Sequence, residues 1–422
     1  MKRFVGLSIA LAFAVLACNQ NVVPPIVTCT PAQTQPASSV VQDPTDLIVV
    51  SPQFKALDPT SIDAVEPDRL LTDPTGLAPG DTIASNCNDG IIRKISKITT
   101  SGATQTNGAR PQDIAKVYIE TTPSSLETVI SKGTVAMDFG SLDFAGAEIL
   151  SANLEPGVSL QKNVARPQSL VLSFTEKTFV FGAATLKVSG NLENNLEPTF
   201  NLKFSNGSVE RFEVGLGGTF KVKLNGDFVA SVGAGKPETI IPILKKPIFY
   251  NRTFLIGTVP VVIVVTLEPV IGYRMTVDGT LSAKASIEAS LNNMKYGIKY
   301  LRGAQNPWTA TNTAPVFGLT PTFGYKTQVN GTAEVFTKLL VGIKIYGVAG
   351  PNIDTKAFMN LNFNPANANP LAVMSIGTKS VANLAFNLNV LGAGVNVSLG
   401  NTVLLEPPNK GFNCSASACT AQ

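Results

Sequence analysis

The chain has 422 residues, of which 44% are hydrophobic and only 15% are charged, against roughly 25% charged residues in an average soluble protein. Its formal charge of +4 is small and its basic residues are scattered singly, which argues against nucleic acid as a partner. It has no histidine, which excludes Ser-His-Asp and Cys-His catalysis and His-ligated zinc, while carboxylate catalysis and oxygen-ligated calcium stay open.

The first residues have the form of a bacterial secretory signal. Lys2 and Arg3 precede an apolar run, and the sequence Val15-Leu16-Ala17 stands directly before Cys18. The run is too short to span a bilayer. This segment resembles the lipobox signal of bacterial lipoproteins, in which the cysteine after the cleavage site is acylated.

The resemblance implies that residues 1–17 are removed and that Cys18 carries a lipid such as palmitate. It therefore implies a lipid-anchored protein of the bacterial cell envelope, held at a membrane through its N-terminus. Asn19 is not the aspartate that marks inner-membrane retention in enteric bacteria, which favours the outer membrane or the cell surface. Ordinary secretion is the alternative.

A linker over residues 18–45 follows the signal. It is rich in Pro, Gln, Thr, Ser and Val, and its prolines block regular structure. We therefore predict an extended stalk between the lipid and the folded part of the chain.

Four cysteines remain besides the lipidation candidate, and an even number fits an oxidising compartment. Four cysteines allow three pairings. Cys414 and Cys419 are only a few residues apart, so a local disulfide between them is favoured, and a disulfide between Cys29 and Cys87 follows. A metal site built from these thiols is the alternative, although their spacing is not that of zinc ligands.

Residues 46–166 predict a small β-rich domain. Strands are indicated around Ile91–Ile95 and Val117–Thr121, and one short helix is predicted after Pro123 and before Gly133. The order Gly80-Asp81-x-Ile83, Gly90-Ile91-Ile92-Arg93-Lys94-Ile95, Thr121-Thr122-Pro123-Ser124-Ser125-Leu126 and Gly133 resembles a module of bacterial secreted and surface lipoproteins that has no assigned activity. The resemblance implies a β-rich, extracytoplasmic domain and no catalytic residue.

Residues 167–410 predict a large antiparallel β domain, followed by a polar, cysteine-containing tail over residues 411–422. Hydrophobic residues alternate with polar ones from Phe200 onward, which is typical of strands with one buried face. Asn206-Gly207, Gly217-Gly218 and Asn225-Gly226 have the sequences of two-residue hairpin turns, so we predict a meander of short strands.

The longest alternation runs from Met275 to Leu291 and would reach about 55 Å at ~3.3 Å per residue. Such a strand must bend across two sheets or belong to an elongated sandwich or barrel, with a turn at Asn292-Asn293. The run Phe254–Val265 is apolar on both faces and predicts a central strand, with an edge or bulge at Pro260.

The predicted fold class is therefore all-β. We expect a large antiparallel β-sandwich, or a barrel-like variant of it, preceded by a smaller β-rich domain with one short helix.

Two aromatic residues are the binding candidates. Trp308 is the only tryptophan, it lies in a loop between strands, and Tyr300 is nearby. Aromatic rings of this kind stack on sugar faces, but Trp308 would equally serve as a structural anchor at one end of the sandwich.

Glu210 and Glu213 stand beside Arg211 on an outward strand face, and we expect them to make solvated cross-strand pairs. The acidic residues weighed for catalysis form no motif; they are Glu193, Glu197, Glu210, Glu213, Asp227, Glu268, Asp278, Glu288, Glu334 and Asp354. Calcium loops are conceivable around Asp73 to Asp81, or at Asn86, Asn88 and Asp89, but neither has the ligand spacing of an EF-hand.

These observations predict a non-enzymatic envelope or surface lipoprotein that binds a protein or polysaccharide partner through loops at the ends of the sandwich. We expect no catalytic residue, no cofactor and no metal centre. Two other classes stay open. A carboxylate-dependent polysaccharide hydrolase would need two carboxyl groups about 5–10 Å apart, and a carrier would enclose an apolar cavity for a lipid or another apolar ligand.

Overall fold

The computed structural model describes most of the chain beyond the linker. The described residues are 28–29, 40–42, 48–73, 76–100, 117–138, 153–162, 170–181, 184–231, 234–278, 280–313, 316–325, 330–347, 350–363, 372–387, 391–392, 396–406, 409–415 and 419–421. Cys18 and the signal before it lie outside these ranges. Within them the fold is all-β, as predicted, with three sheets and two 3₁₀ turns, Pro59–Ser61 and Leu126–Thr128.

The small domain is built on a six-stranded sheet. Its strands are β3 (Phe54–Ala56), β4 (Ile62–Val65), β5 (Arg69–Thr72), β6 (Thr82–Ser85), β7 (Ile91–Thr100) and β8 (Val117–Pro123). They lie in the order β3-β6-β7-β8-β5-β4, and all pairs are antiparallel except β3 with β6.

The first large sheet has ten strands. They are β1 (Val40–Gln42), β2 (Val49–Val50), β9 (Ile130–Asp138), β10 (Val158–Lys162), β11 (Leu170–Phe181), β12 (Ala184–Ser205), β13 (Ser208–Ser231), β17 (Thr280–Leu301), β18 (Trp308–Thr313) and β19 (Val316–Tyr325). The chain passes from the small sheet to this one between β8 and β9. β12, β13 and β17 form its centre, and β18 and β19 share the outer edge of β17.

The second large sheet has nine strands. They are β14 (Ala234–Pro242), β15 (Ile248–Ile256), β16 (Val259–Asp278), β20 (Asn330–Ile345), β21 (Asn352–Phe363), β22 (Ala372–Asn387), β23 (Asn396–Leu405), β24 (Lys410–Cys414) and β25 (Cys419–Ala421). β16, β20, β21 and β22 are consecutive neighbours, and all pairs are antiparallel.

The two large sheets are open and lie face to face, so the sandwich is the architecture observed. Phe200 on β12 meets Phe254 on β15, with 5.9 Å between the ring centroids. Tyr296 on β17 hydrogen bonds through its hydroxyl to the Thr355 hydroxyl on β21, at 2.7 Å. Burial raises the pKa of this tyrosine, so it stays neutral and can hold the two sheets together through this bond.

Of the predicted hairpin turns, only Asn206-Gly207 is confirmed. These two residues join β12 to β13 and have φ values of 51° and 68°, the left-handed conformation that Asn and Gly tolerate best. The predictions of turns at Gly217-Gly218 and Asn225-Gly226 were wrong, because β13 continues through both positions.

The phase of the hydrophobic alternation explains this difference. A two-residue hairpin places its two flanking residues on the same face, so the buried positions must change from even to odd numbers across the turn. Across the confirmed turn the buried positions change from Phe204 to Val209, and a bulge then restores even numbers. From Phe212 onward the buried residues of β13 stay even-numbered on both sides of the glycines: Phe212, Val214, Leu216, Phe220, Val222, Leu224 and Phe228. This is the pattern of one continuous strand.

The long alternation from Met275 to Leu291 bends across the two sheets, as one of the two predicted arrangements requires. Met275 belongs to β16 in the nine-stranded sheet, and the strand that starts at Thr280 belongs to the ten-stranded sheet. The predicted turn at Asn292-Asn293 was wrong. The strand continues there through a bulge, in which Asn293 has a φ of 57° and the register to β13 shifts.

The prediction of one strand over Phe254–Val265 was wrong, because β15 ends at Ile256, residues 257 and 258 form a turn, and β16 begins at Val259. The second part of the run, Val259–Val265, is a central strand segment, as predicted. β16 has β15 on one side and β20 on the other, and each residue from Val261 to Val265 is at most 1% exposed. The small domain covers the outer face of this segment, because Gly90 lies directly against Val262 and Tyr346. One continuous apolar core therefore includes both the sandwich and side chains of the small sheet.

The predicted short helix is reduced to the 3₁₀ turn Leu126–Thr128. Ser125 makes no side-chain capping bond, and β9 begins only two residues after the turn, at Ile130. Ile130 and Lys132, which a longer helix would have included, pair instead with Val50 and Val49 of β2.

Candidate functional site: a polar cleft on the ten-stranded sheet

The aromatic binding candidates lie at the border of the core. Tyr300 is only 8% exposed, and its ring lies 5.0 Å from that of Trp308. Trp308 begins β18, is partly buried, and meets Phe212 edge to face at 6.2 Å. This arrangement is that of an anchor for the edge of the sheet, and it leaves no flat aromatic platform formed by the two rings together.

Both predicted disulfides are confirmed. Cys29 pairs with Cys87, whose side chain is fully buried in the small domain, and Cys414 pairs with Cys419. The second disulfide joins the ends of the facing strands β24 and β25.

One end of the sandwich, which we call the domain end, carries the turns at Asn206-Gly207, Gly257, Tyr346-Gly347 and Leu391-Gly392. Gly347 lies against Asp89 of the small domain and Gly392 against Glu127, while Gly207 and Gly257 contact β9 and the segment around β2. Glu127 on the 3₁₀ turn accepts a hydrogen bond from the Val209 backbone at 2.7 Å and donates one from its own backbone to Leu391 at 3.1 Å. Asn251 donates to Asp89 of the small domain at 3.3 Å. The turns at this end are therefore engaged within the molecule.

The outer face of the ten-stranded sheet is polar and carries a cleft of about 460 Å³. The cleft crosses five strands, because strand register aligns single residues from each into rows. One row consists of Lys187, Asp227, Lys284 and Gly324, the next consists of Ser189, Asn225, Ser286 and Thr322, and Glu176 on β11 closes one side.

Side-chain length shapes the cleft. Ser189, Ser286 and Gly324 have short side chains or none and leave space above the sheet, whereas Glu176, Lys187 and Lys284 contribute long side chains to the lining. The residues that line it include no aromatic side chain.

The charged groups of the cleft are arranged in pairs. The Lys187 ammonium lies 2.8 Å from the Glu176 carboxylate, and the Lys284 ammonium lies 3.2 Å from Asp227 Oδ2. The hydrogen bond from Lys187 to Glu176 raises the pKa of this lysine, and the charges of Glu176 and Asp227 act in the same direction. Asp227 Oδ1 is buried and has no hydrogen-bond partner among the residues that the structure describes.

Several acidic residues weighed for catalysis form ion pairs. Glu210 lies 3.0 Å from Lys203 on the neighbouring strand, as predicted, whereas Glu213 pairs with Arg211 on its own strand. Glu193 also lies 3.7 Å from Lys221 on the neighbouring strand, and Asp227 forms the pair just described. Glu334 differs from these, since it is 5% exposed and contacts two cations, Arg274 at 2.7 Å and Lys356.

Replacing Glu334 with glutamine is expected to lower the free energy of unfolding by about 2 kcal/mol. Breaking a fully buried ion pair costs about 3–5 kcal/mol, and the cost is smaller here because the Arg274 side chain is 55% exposed. Urea denaturation measures the effect. The control is Glu406→Gln, whose carboxylate pairs with Lys379 but is 52% exposed, and it should cost under about 1 kcal/mol. Equal losses in the two variants would contradict the buried network.

In the part of the chain that the structure describes, no group of three or more Cys, Asp or Glu side chains is placed to hold a metal ion. Asp89, from one of the candidate calcium loops, instead contacts Asn251 and Gly347 of the sandwich. No described helix is long and apolar enough to cross a membrane.

Comparison with protein-family models, characterised proteins and solved structures finds no match to this chain. The resemblance to bacterial lipoproteins therefore stays a prediction from the signal and the module residues.

Proposed function

We propose that the protein is a non-enzymatic component of the bacterial envelope, anchored through a lipid on Cys18, and that its sandwich binds polysaccharide on the outer face of the ten-stranded sheet. The observation that carries the binding role is the cleft around Asp227. It lies on a solvated polar face, whereas the turns of the domain end are engaged in contacts within the molecule. We thus place binding on the sheet face, in preference to the loops at the domain end.

The disulfides support an extracytoplasmic location, because such bonds persist in oxidising compartments. The Cys29–Cys87 disulfide also limits how far the body can stand from the lipid. Cys29 is eleven residues after Cys18, which corresponds to at most about 40 Å of extended chain. The tether reaches the small domain, so that domain would lie closest to the membrane.

The cleft would then lie far from the membrane. Ser189 in the cleft is sixteen residues along β12 from Ser205, next to the turn at the domain end. At ~3.3 Å per residue this places the cleft about 50 Å from the domain end. A short tether at one end and a binding face near the other suit a protein that contacts polysaccharide beyond its membrane.

The carrier alternative receives less support from the interior. The two sheets contact each other directly at Phe200 with Phe254, at Tyr296 with Thr355, and at Phe179 with Tyr273, whose rings stack at 5.3 Å. The hydrolase alternative would have to use carboxylates that are each paired with a lysine, Glu176 and Asp227 in the cleft.

Protease accessibility on intact bacterial cells tests the proposed location, comparing the native chain with Cys18→Ala. We expect the native chain in the membrane fraction, cleaved by external protease if it lies at the surface or only after the outer membrane is opened if it faces the periplasm. Cys18→Ala should be released into the soluble fraction, and Asn19→Ala should behave as the native chain. Membrane retention of Cys18→Ala would contradict the lipid anchor.

A further inference from the structure

We propose that the cleft around Asp227 is a subsite for a neutral saccharide. This proposal rests on the polysaccharide-binding role above and names the ligand class and the residues that recognise it. The cleft volume of about 460 Å³ lies within the range of roughly 300–1,000 Å³ that is typical of small-molecule sites.

The uncharged polar side chains that line the cleft match a polyhydroxyl ligand in their hydrogen-bonding capacity. The Ser189, Ser286 and Thr322 hydroxyls can each donate and accept, and the Asn225 amide does both with separate atoms. Sugar hydroxyls have the same dual capacity. The Asn225 amide already donates to Ser189 at 3.3 Å, and Ser286 bonds to Thr322, so these groups are held in place before a ligand binds.

The charges of the cleft favour a neutral ligand over an anionic one. Its two lysines are each paired with a carboxylate, so the formal charges of the lining cancel. Asp227 is the central acceptor of the lining: its Oδ2 lies 3.2 Å from the Lys284 ammonium and can accept a ligand hydroxyl proton as a charge-assisted hydrogen bond, whereas Oδ1 is buried.

An apolar border completes the site. Val180 and Val229 flank Thr185 in the row next to Lys187 and Asp227, and they are 72% and 46% exposed. Sugar rings have an apolar C–H face as well as polar edges, and these valines offer surface for it. On the opposite side, the face continues with polar rows through Lys223 and Lys221, which suits a chain of sugars longer than the cleft.

Gly324 provides a way to block the site without disturbing the fold. It lies on the outer face of β19 opposite Lys284, and a Cβ added there meets no atom within 4 Å. Tyrosine has a high preference for strands. Gly324→Tyr should therefore fold and fill the cleft with its ring. Thr311→Tyr on the exposed strand β18 is the matched control, with the same new side chain on the same sheet but outside the cleft.

The experiment is affinity electrophoresis of the full chain carrying Cys18→Ala, with dextran and laminarin as neutral probes and alginate as an anionic one. We expect retardation by at least one neutral probe, a loss of affinity of at least tenfold in Gly324→Tyr and in the nearly isosteric Asp227→Asn, and no change in Thr311→Tyr. Melting temperatures of the four proteins confirm that each is folded.

Retardation by alginate alone, no retardation by either neutral probe, or binding that survives Gly324→Tyr would overturn the neutral saccharide subsite. The unlipidated chain is used throughout, so a failure of acylation leaves this result unaffected. Conversely, a protein that is acylated at Cys18 but binds no neutral probe retains the proposed envelope location and loses the proposed ligand.

Discussion

Replacing Cys29 and Cys87 together with serine is expected to lower the free energy of unfolding by about 4 kcal/mol. The disulfide closes a loop of 58 residues, and the chain-entropy model gives about this value for a loop of that length. The loss should be seen in urea denaturation under non-reducing conditions. The small domain should be destabilised most, because Cys87 is buried in the core of that domain.

The second disulfide is the control for this prediction. Cys414 and Cys419 are only five residues apart, and the same model gives about 2 kcal/mol for so short a loop. The Cys414→Ser, Cys419→Ser variant should therefore lose about half as much stability. Equal losses in the two double variants, or no loss when Cys29 and Cys87 are replaced, would contradict the role of the longer loop.

Replacing Phe254 with alanine is expected to cost about 3–5 kcal/mol, the usual cost of truncating a buried aromatic residue. Phe254 is 2% exposed on β15, and its ring contacts that of Phe200 in the opposite sheet. The substitution leaves a cavity between the two sheets, which cannot collapse without moving a long strand. Thermal and urea denaturation of the full chain both measure the loss.

Phe249→Ala is the matched control, on the same strand and with the same change. Phe249 is 56% exposed on the outer face of β15, so its truncation removes little buried surface and should change stability by about 0.5 kcal/mol or less. A similar effect of the two substitutions would contradict the face-to-face packing of the sheets.

Local patterns predicted much of the fold because each depends on neighbouring residues alone. Asn206-Gly207 has the backbone requirements of a two-residue hairpin, and Val259–Val265 has the two-sided apolarity of a central strand. The sequence Gly217-Gly218 also meets the local requirements of a two-residue hairpin turn, but it lies inside β13. The even-numbered alternation on both sides of it was the signal that excluded a turn.

The cysteine pairing was also predictable, from an even count and from the short separation of Cys414 and Cys419. The packing of the small domain on β16 was not predictable from the sequence. Nothing in the run Val261–Val265 indicates that Gly90 of the small domain packs on its outer face, because this contact depends on how two sheets meet.

The cleft was missed for a related reason. Asp227 was considered only as one acid among many, and Lys284 only as one outward-facing residue of an alternating strand. Asp227 and Lys284 lie beside Glu176, Ser189 and Thr322 only because of the register of five strands, and no single segment of the sequence reveals that register. Trp308 illustrates the opposite case. Its rarity and loop position suggested binding, while its contacts with Phe212 and Tyr300 are those of an anchor.

The lipid anchor is the central claim of this account, and mass spectrometry of the N-terminus of the membrane-extracted protein tests it most directly. We predict a mature chain that begins at Cys18 and carries the added mass of a diacylglyceryl group. We also predict that this modified N-terminus is lost in Cys18→Ala. A mature chain that begins at another residue, or one that begins at Cys18 without a lipid, would contradict the lipid anchor.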